Sequence, residues 1–241
     1  RVAIIEREQV VGGVSLHTGT IPSKTFREAV LTFGRGGRRA SDMRRRASDS
    51  NGNGFKAVTA GQLFERVGNI VQREEQVQDA QLGRNDVDVI VGTAKFKDPH
   101  ELLITSSQGE RTASAKNIMI AVGTRPATPP DTQLDGERII TSDEIFNLDE
   151  LPHSMVVIGC GVVGIEYASM FALLGVEVTV VDGRGTPLEF LDREIVDELV
   201  HQMRAINVVF RLGETVERVE TRDAARGRVV VSLESGKRLV A

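Results

Sequence analysis

The chain has 241 residues, a formal net charge of −4 and 27% charged residues, which allows one large domain or two ordinary ones and leaves no basic footprint for nucleic acid or an anionic membrane. Its apolar stretches fall far short of the ~18 residues a bilayer span needs, and its first residues are strand-like with charge following, unlike a secretory signal. A single cysteine, Cys160, excludes an internal disulfide and suits a reducing compartment, so the composition predicts a cytoplasmic protein.

In chain order, the run Val2 to Glu6 is apolar and β-branched and closes on a carboxylate, which predicts a strand. Residues 12–24 read GGVSLHTGTIPSK. The paired glycines predict a strand-to-helix turn that brings backbone close to a ligand, and a helix is expected from near Thr20, with Pro22 in its first turn and Phe26, Ala29, Val30 and Phe33 on one face. Residues 34–54, basic and glycine-rich, read as a solvated insertion loop and receive no function. Leu63, Val67, Ile70 and Val77 space as one face of a helix over residues 62–81, followed by a strand at 87–93. Residues 117–122 predict another apolar strand, ending in Gly123-Thr124-Arg125-Pro126. Pro129 and Pro130 begin a connection, and Leu151-Pro152 introduces the next domain. The four histidines, His17, His100, His153 and His201, lack metal-ligand spacing, and no metal is expected.

The densest pattern lies at residues 155–182. A strand runs into Gly159-Cys160-Gly161-Val162-Val163-Gly164, a helix-compatible stretch follows, Gly175 stops it, and a second strand ends at Asp182. This is G-x-G-x-x-G in the strand, turn and helix setting of a Rossmann dinucleotide unit. Gly159 permits the tight turn, Gly161 lets backbone approach a pyrophosphate, and Gly164 lets the helix pack on the strand. The helix N-terminus offers unbonded N–H groups and a partial positive charge to the phosphates. Asp182 can accept the hydroxyls of an adenosine ribose and would repel a 2′-phosphate, which favours NAD; Arg184 could partly accommodate that phosphate, so NADP stays open. Cys160, at a variable loop position, reads as a small residue that fits. By analogy with Asp182, Glu6 is the ribose ligand of a first such unit, whose opening strand and glycine loop are expected upstream of Arg1; the sequence reads as a fragment.

Together these stretches resemble the pyridine nucleotide-disulfide oxidoreductases, flavoenzymes whose redox segment carries two cysteines separated by four residues before a P-S-K. Here those positions hold Ser15 and Thr20. Hydroxyls cannot shuttle between thiolate and disulfide, so electrons reaching a flavin there must leave on an acceptor that diffuses in. The resemblance implies an α/β fold of two Rossmann-like, doubly wound domains, an FAD domain over residues 1–150 with an NAD(P) domain over 151–241 inserted in it, both incomplete. It implies that Glu6, Gly12, Gly13, Val14 and Ser15 line FAD, with Gly19 and Thr20 near the isoalloxazine and Ala94 and Gly123 also in contact. Gly159, Gly161, Val163, Gly164, Glu166 and Asp182 would hold the nicotinamide dinucleotide, and Lys24 would pair with Glu166 beside the flavin's reactive nitrogen. The cysteine-free segment is closest to the family's transhydrogenase branch, which implies hydride exchange between NAD(H) and NADP(H) as substrates. A quinone reductase or diaphorase, a dihydrolipoamide dehydrogenase-like protein without the redox disulfide, and a non-catalytic dinucleotide sensor remain alternatives. In the full-length protein the resemblance implies a homo-oligomer formed through a domain outside this sequence.

Overall fold

A computed structural model describes residues 1–34, 59–128, 132–222 and 227–241. The expected insertion loop, apart from Gly34, and the Pro129-Pro130 connection lie outside the described residues. Two compact units form, one from residues 1–22 and 68–125 and the other from 23–67 and 126–241.

In the first unit, strand β1 (Val2–Glu6) pairs in parallel with β2 (Val87–Val91), in a register running from Val2↔Val87 to Glu6↔Val91. A short helix, α1 (Gly13–His17), occupies the paired-glycine segment where only a turn was expected. Gly12 has φ 126, and a Cβ there would sit 2.4 Å from Leu16 Cδ2, so this corner requires glycine. Leu16 is fully buried, and His17 ties α1 down by a 3.2 Å contact with the Val11 carbonyl and a 3.4 Å pairing with Glu75.

The strand expected at 87–93 stops at Val91. Gly92 donates its N–H to the Glu6 carbonyl at 2.8 Å, and Thr93 opens a separate antiparallel meander of β3 (Thr93–Asp98), β4 (Glu101–Ser106) and β5 (Gly109–Ser114). Residues 117–122 form no strand, contrary to the sequence expectation. Met119, Ile120 and Val122 are 90%, 69% and 88% exposed. Apolar composition favours a strand, but only a hydrogen-bonded neighbour makes one, and no described strand pairs with this segment.

Helix α2 (Thr20–Gly34) carries its apolar face as the spacing predicts, with Phe26, Ala29 and Val30 fully buried. Helix α3 (Ala60–Arg84) buries Leu63 and Val67, while Val77, farther along the same predicted face, is 45% exposed.

In the second unit the pattern β6 (Ser154–Ile158), α4 (Val162–Leu173), β7 (Glu177–Asp182), α5 (Arg193–Ala205), β8 (Val209–Leu212) forms a parallel sheet of order β6-β7-β8. Asp192 caps α5 by accepting the Glu194 N–H at 3.0 Å, and Val196, Val200 and Met203 are its buried stripe. An antiparallel sheet of β9 (Val216–Arg222), β10 (Arg228–Leu233) and β11 (Arg238–Val240) follows. Its Val219, Val229, Val231 and Leu233 form one core cluster with Val181 of β7.

Phe26 links α2 to this unit. Its ring lies 5.8 Å from Phe64, 5.7 Å from Phe146 and 5.7 Å from Phe171, centroid to centroid, and Phe146 lies 6.2 Å from Tyr167. Phe146 is delivered by a short 3-10 helix (Ser142–Asn147), started by a capping box in which the Thr141 N–H and hydroxyl both donate to Glu144 Oε2 at 2.6 and 2.7 Å. Each aromatic pair adds about 0.5–1.5 kcal/mol beyond the area it buries.

Candidate functional site

The glycine loop lies between β6 and α4. Gly159 turns the chain with φ 105 and donates its N–H to the Val181 carbonyl at 2.8 Å, which is the tight turn expected of it. Gly161 is the N-cap of α4 with no side-chain cap. The Ile165 N–H bonds back to the Gly161 carbonyl at 3.0 Å, and the N–H groups of Val162, Val163 and Gly164 come before this first intrahelical donor, so they have no acceptor within the helix and are available to an anion. A Cβ on Gly161 would meet no atom within 4 Å, whereas one on Gly164 would lie 2.1 Å from the Gly159 carbonyl oxygen. The loop thus leaves room for a ligand at Gly161 and closes backbone against backbone at Gly164.

Asp182 ends β7 on the same edge. Its Oδ2 accepts the Cys160 N–H at 2.7 Å and Arg184 Nη2 at 2.7 Å; its Oδ1 accepts the Arg184 N–H at 2.8 Å and Arg184 Nε at 2.9 Å. The Arg184 hydrogen bonds hold the Asp182 carboxyl well below the usual carboxylate range, and the Cys160 N–H adds to this against the opposing effect of burial. Burial, followed by the neighbouring Asp182, pushes the Cys160 thiol up to about 11, consistent with a residue chosen for fit over reactivity.

These groups border a cavity of about 240 Å³ lined by Ile158, Gly159, Val181, Asp182, Gly183, Glu214, Thr215 and Val216. It lies at the C-terminal ends of the parallel strands, where α/β sheets bind nucleotides. Glu214 donates its backbone N–H to the Asp182 carbonyl at 3.1 Å, and its side chain pairs with Lys237. Lys237 holds the Glu214 carboxyl below its usual value.

Glu166 is half-buried in the first turns of α4, Val163 is exposed beside it, and Lys24 is exposed on α2. Among the described residues no ion pair joins Lys24 to Glu166. In the first unit, Glu6 ends β1 and its Oε1 accepts the Glu8 N–H at 3.1 Å. Val14 organises the paired-glycine segment: its carbonyl accepts the Gly19 N–H at 2.6 Å, and a Cβ on Gly123 would lie 3.7 Å from Val14 Cγ2. Gly12 to Gly19 and Gly123 therefore converge. Ser15 falls in α1 and Thr20 begins α2; Ala94 lies in β3, opposite Ile104.

The sequence profile of the pyridine nucleotide-disulphide oxidoreductases matches residues 1–241, the whole chain. The chain belongs to this family. Among curated pyridine nucleotide-disulphide oxidoreductase relatives, the soluble pyridine nucleotide transhydrogenase of Mycobacterium tuberculosis is 44% identical over all of this chain and half of its own length. The protein of that name from Colwellia psychrerythraea is 37% identical, over 99% of this chain and 49% of its own. Among solved structures, LpdA from Mycobacterium tuberculosis matches with a TM-score of 0.81 at 26% identity, over all of this chain and 50% of that one. The HOCl-induced flavoprotein disulfide reductase RclA from Escherichia coli matches with a TM-score of 0.78 at 26% identity, over all of this chain and 49% of that one. The chain spans about half the length of the curated relatives it matches. Its fold is the α/β dinucleotide-binding fold of this family.

Three features escaped the sequence reading. Glu214 and Thr215 reach the cavity because they follow Gly213 at the end of β8, the third parallel strand, whose C-terminal end shares an edge with Gly159 and Asp182; that position was the available signal. The pairing of Lys237 with Glu214 spans 23 residues and leaves no local pattern. The contact of His17 with Glu75 is equally non-local.

Proposed function

We propose that this chain is part of an FAD-dependent soluble pyridine nucleotide transhydrogenase, with the net reaction NADPH + NAD⁺ ⇌ NADP⁺ + NADH. The observation that carries the reading is the pair Ser15 and Thr20 at the two dithiol positions of a chain that otherwise matches the family over residues 1–241. The relatives' shared name and identity support it.

The residues fit the groups they would hold. Open space at Gly161, with three unbonded helix N–H groups after it, suits a pyrophosphate, and Gly13, where a Cβ would meet nothing within 4 Å, leaves similar room for FAD near Val14 and Gly123. We assign FAD to Glu6, Gly12, Gly13, Val14, Ser15, Gly19, Thr20, Ala94 and Gly123, within residues 1–150. Gly159, Gly161, Val163, Gly164, Glu166 and Asp182, within 151–241, take NAD(H) and NADP(H) in turn. When bound, the flavin supplies a two-electron store that accepts and returns hydride. The loop N–H groups fix the nucleotide's phosphates, Asp182 reads its ribose, and Lys24 and Glu166 ride on helices joined through Phe26 and Phe171, which supports assigning the two a common role. Ser15 and Thr20 leave the reducing equivalents no internal disulfide to enter.

Purified full-length protein should be yellow and should reduce thio-NAD with NADPH. A colourless protein, or one that reduces quinones and never thio-NAD, would defeat this reading.

A further inference from the structure

If one site serves both half-reactions, its adenosine end must accept in turn a ribose with a free 2′-hydroxyl and one with a 2′-phosphate. A carboxylate suits the first and repels the second. The cavity at the ends of β6 to β8 presents two carboxylates, Asp182 and Glu214. Each is capped by a cation reaching in from the surface: Arg184, 46% exposed, and Lys237, 62% exposed. The carboxylates themselves are 9% and 13% exposed. The resting charges of the cavity therefore cancel in pairs.

Asp182 is also saturated. A carboxylate offers about four lone-pair positions, and those of Asp182 are occupied by the Cys160 N–H, the Arg184 N–H and two guanidinium donors of Arg184. It can take no ribose hydroxyl while the guanidinium is docked. The Cys160 bond is part of the loop and stays, but the guanidinium can leave, because the Arg184 side chain is 46% exposed to water.

We propose that Arg184 is an exchangeable cap that lets one adenosine subsite read both nucleotides. A ribose with a free 2′-hydroxyl displaces the guanidinium and takes over its acceptors on Asp182. A 2′-phosphate draws the guanidinium off Asp182 as a bidentate partner, and Lys237 turns from Glu214 to supply the second positive charge against the phosphate dianion. The purpose of the exchange rests on the transhydrogenase reading; its geometry does not.

Calorimetry on the full-length, flavin-loaded protein tests it with AMP and 2′,5′-ADP, probes that carry the adenosine end and no nicotinamide. Arg184→Met should weaken 2′,5′-ADP by about tenfold or more, the scale of a lost charge-assisted pair, and should tighten AMP by freeing Asp182. Lys237→Met should weaken 2′,5′-ADP and leave AMP unchanged. Arg184→Lys, which keeps the charge and loses the fork, should recover part of the 2′,5′-ADP affinity, and melting temperatures confirm that each variant folds. Equal losses of both probes, an unchanged ratio between them, or no binding of either by the unmodified protein would overturn the exchange. If the probes respond as stated while thio-NAD is never reduced, the exchange stands and the transhydrogenase reading falls.

Discussion

Asp182 both pins the glycine loop, through the Cys160 N–H, and lines the cavity at the ends of β6 to β8. Asp182→Ala should weaken NAD(H) by about 1–3 kcal/mol, the cost of stranding hydrogen-bonding partners, and NADP(H) by less; equal losses measured by titration would make the residue purely structural. Its depressed carboxyl also gives a signed pH dependence. The stabilisation is complete above the ordinary Asp value of about 3.9 and is lost as pH falls toward the lower folded value. Urea midpoints should therefore drop on acidification below about pH 4, more steeply in the unmodified protein than in Asp182→Asn. Parallel curves for the two would remove the linkage. Cys160, fully buried and with its thiol at about 11, should resist iodoacetamide at neutral pH until the protein unfolds.

At the scale of elements, Gly161 and Gly164 make a contrast within one loop. Gly161→Ala places its methyl in open space, so the melting temperature should hold within a few degrees while nucleotide affinity falls about tenfold, or about 1.4 kcal/mol. Gly164→Ala drives a methyl to 2.1 Å from the Gly159 carbonyl oxygen; either the helix retreats from β6 or the loop opens, and both the melting temperature and binding should collapse. Identical phenotypes for the two would contradict the division of roles. Much of this level was legible in the sequence, because the βαβ unit and the apolar face of α2 are local periodicities that packing then uses. The meander β3 to β5 was missed although turn residues mark it, at Pro99 and again at Ser107-Gln108-Gly109. Residues 117–122 were misread because a strand is a property of two segments, and periodicity reports on one.

For the whole molecule, family membership was legible through motifs that are short, spaced and tied to backbone geometry, and the substitution of both cysteines was readable residue by residue. The cation caps on Asp182 and Glu214 were not, since Arg184 reads as an exposed turn residue until its guanidinium is seen docked, and Lys237 comes from another sheet. The cysteine-free segment predicts that dithionite titration of the full-length flavoprotein ends at two electrons per flavin, with no thiolate-to-flavin charge-transfer band. Uptake of four electrons would mean a redox centre other than residues 15 and 20. Stability rests on the contact of α2 with α4: Phe26, fully buried, should cost about 3–5 kcal/mol when replaced by Ala, read from chemical denaturation.

That aromatic cluster also makes a natural optical probe. These 241 residues contain no tryptophan and a single tyrosine, and Tyr167 is 5% exposed, its hydroxyl buried with no hydrogen-bond partner among the described residues. Ultraviolet emission from this stretch of chain therefore comes from one phenol, located where α4 meets Phe146 and next in sequence to Glu166. Any rearrangement of α4 changes the surroundings of that phenol, so within these residues its emission follows the helix with no dye attached.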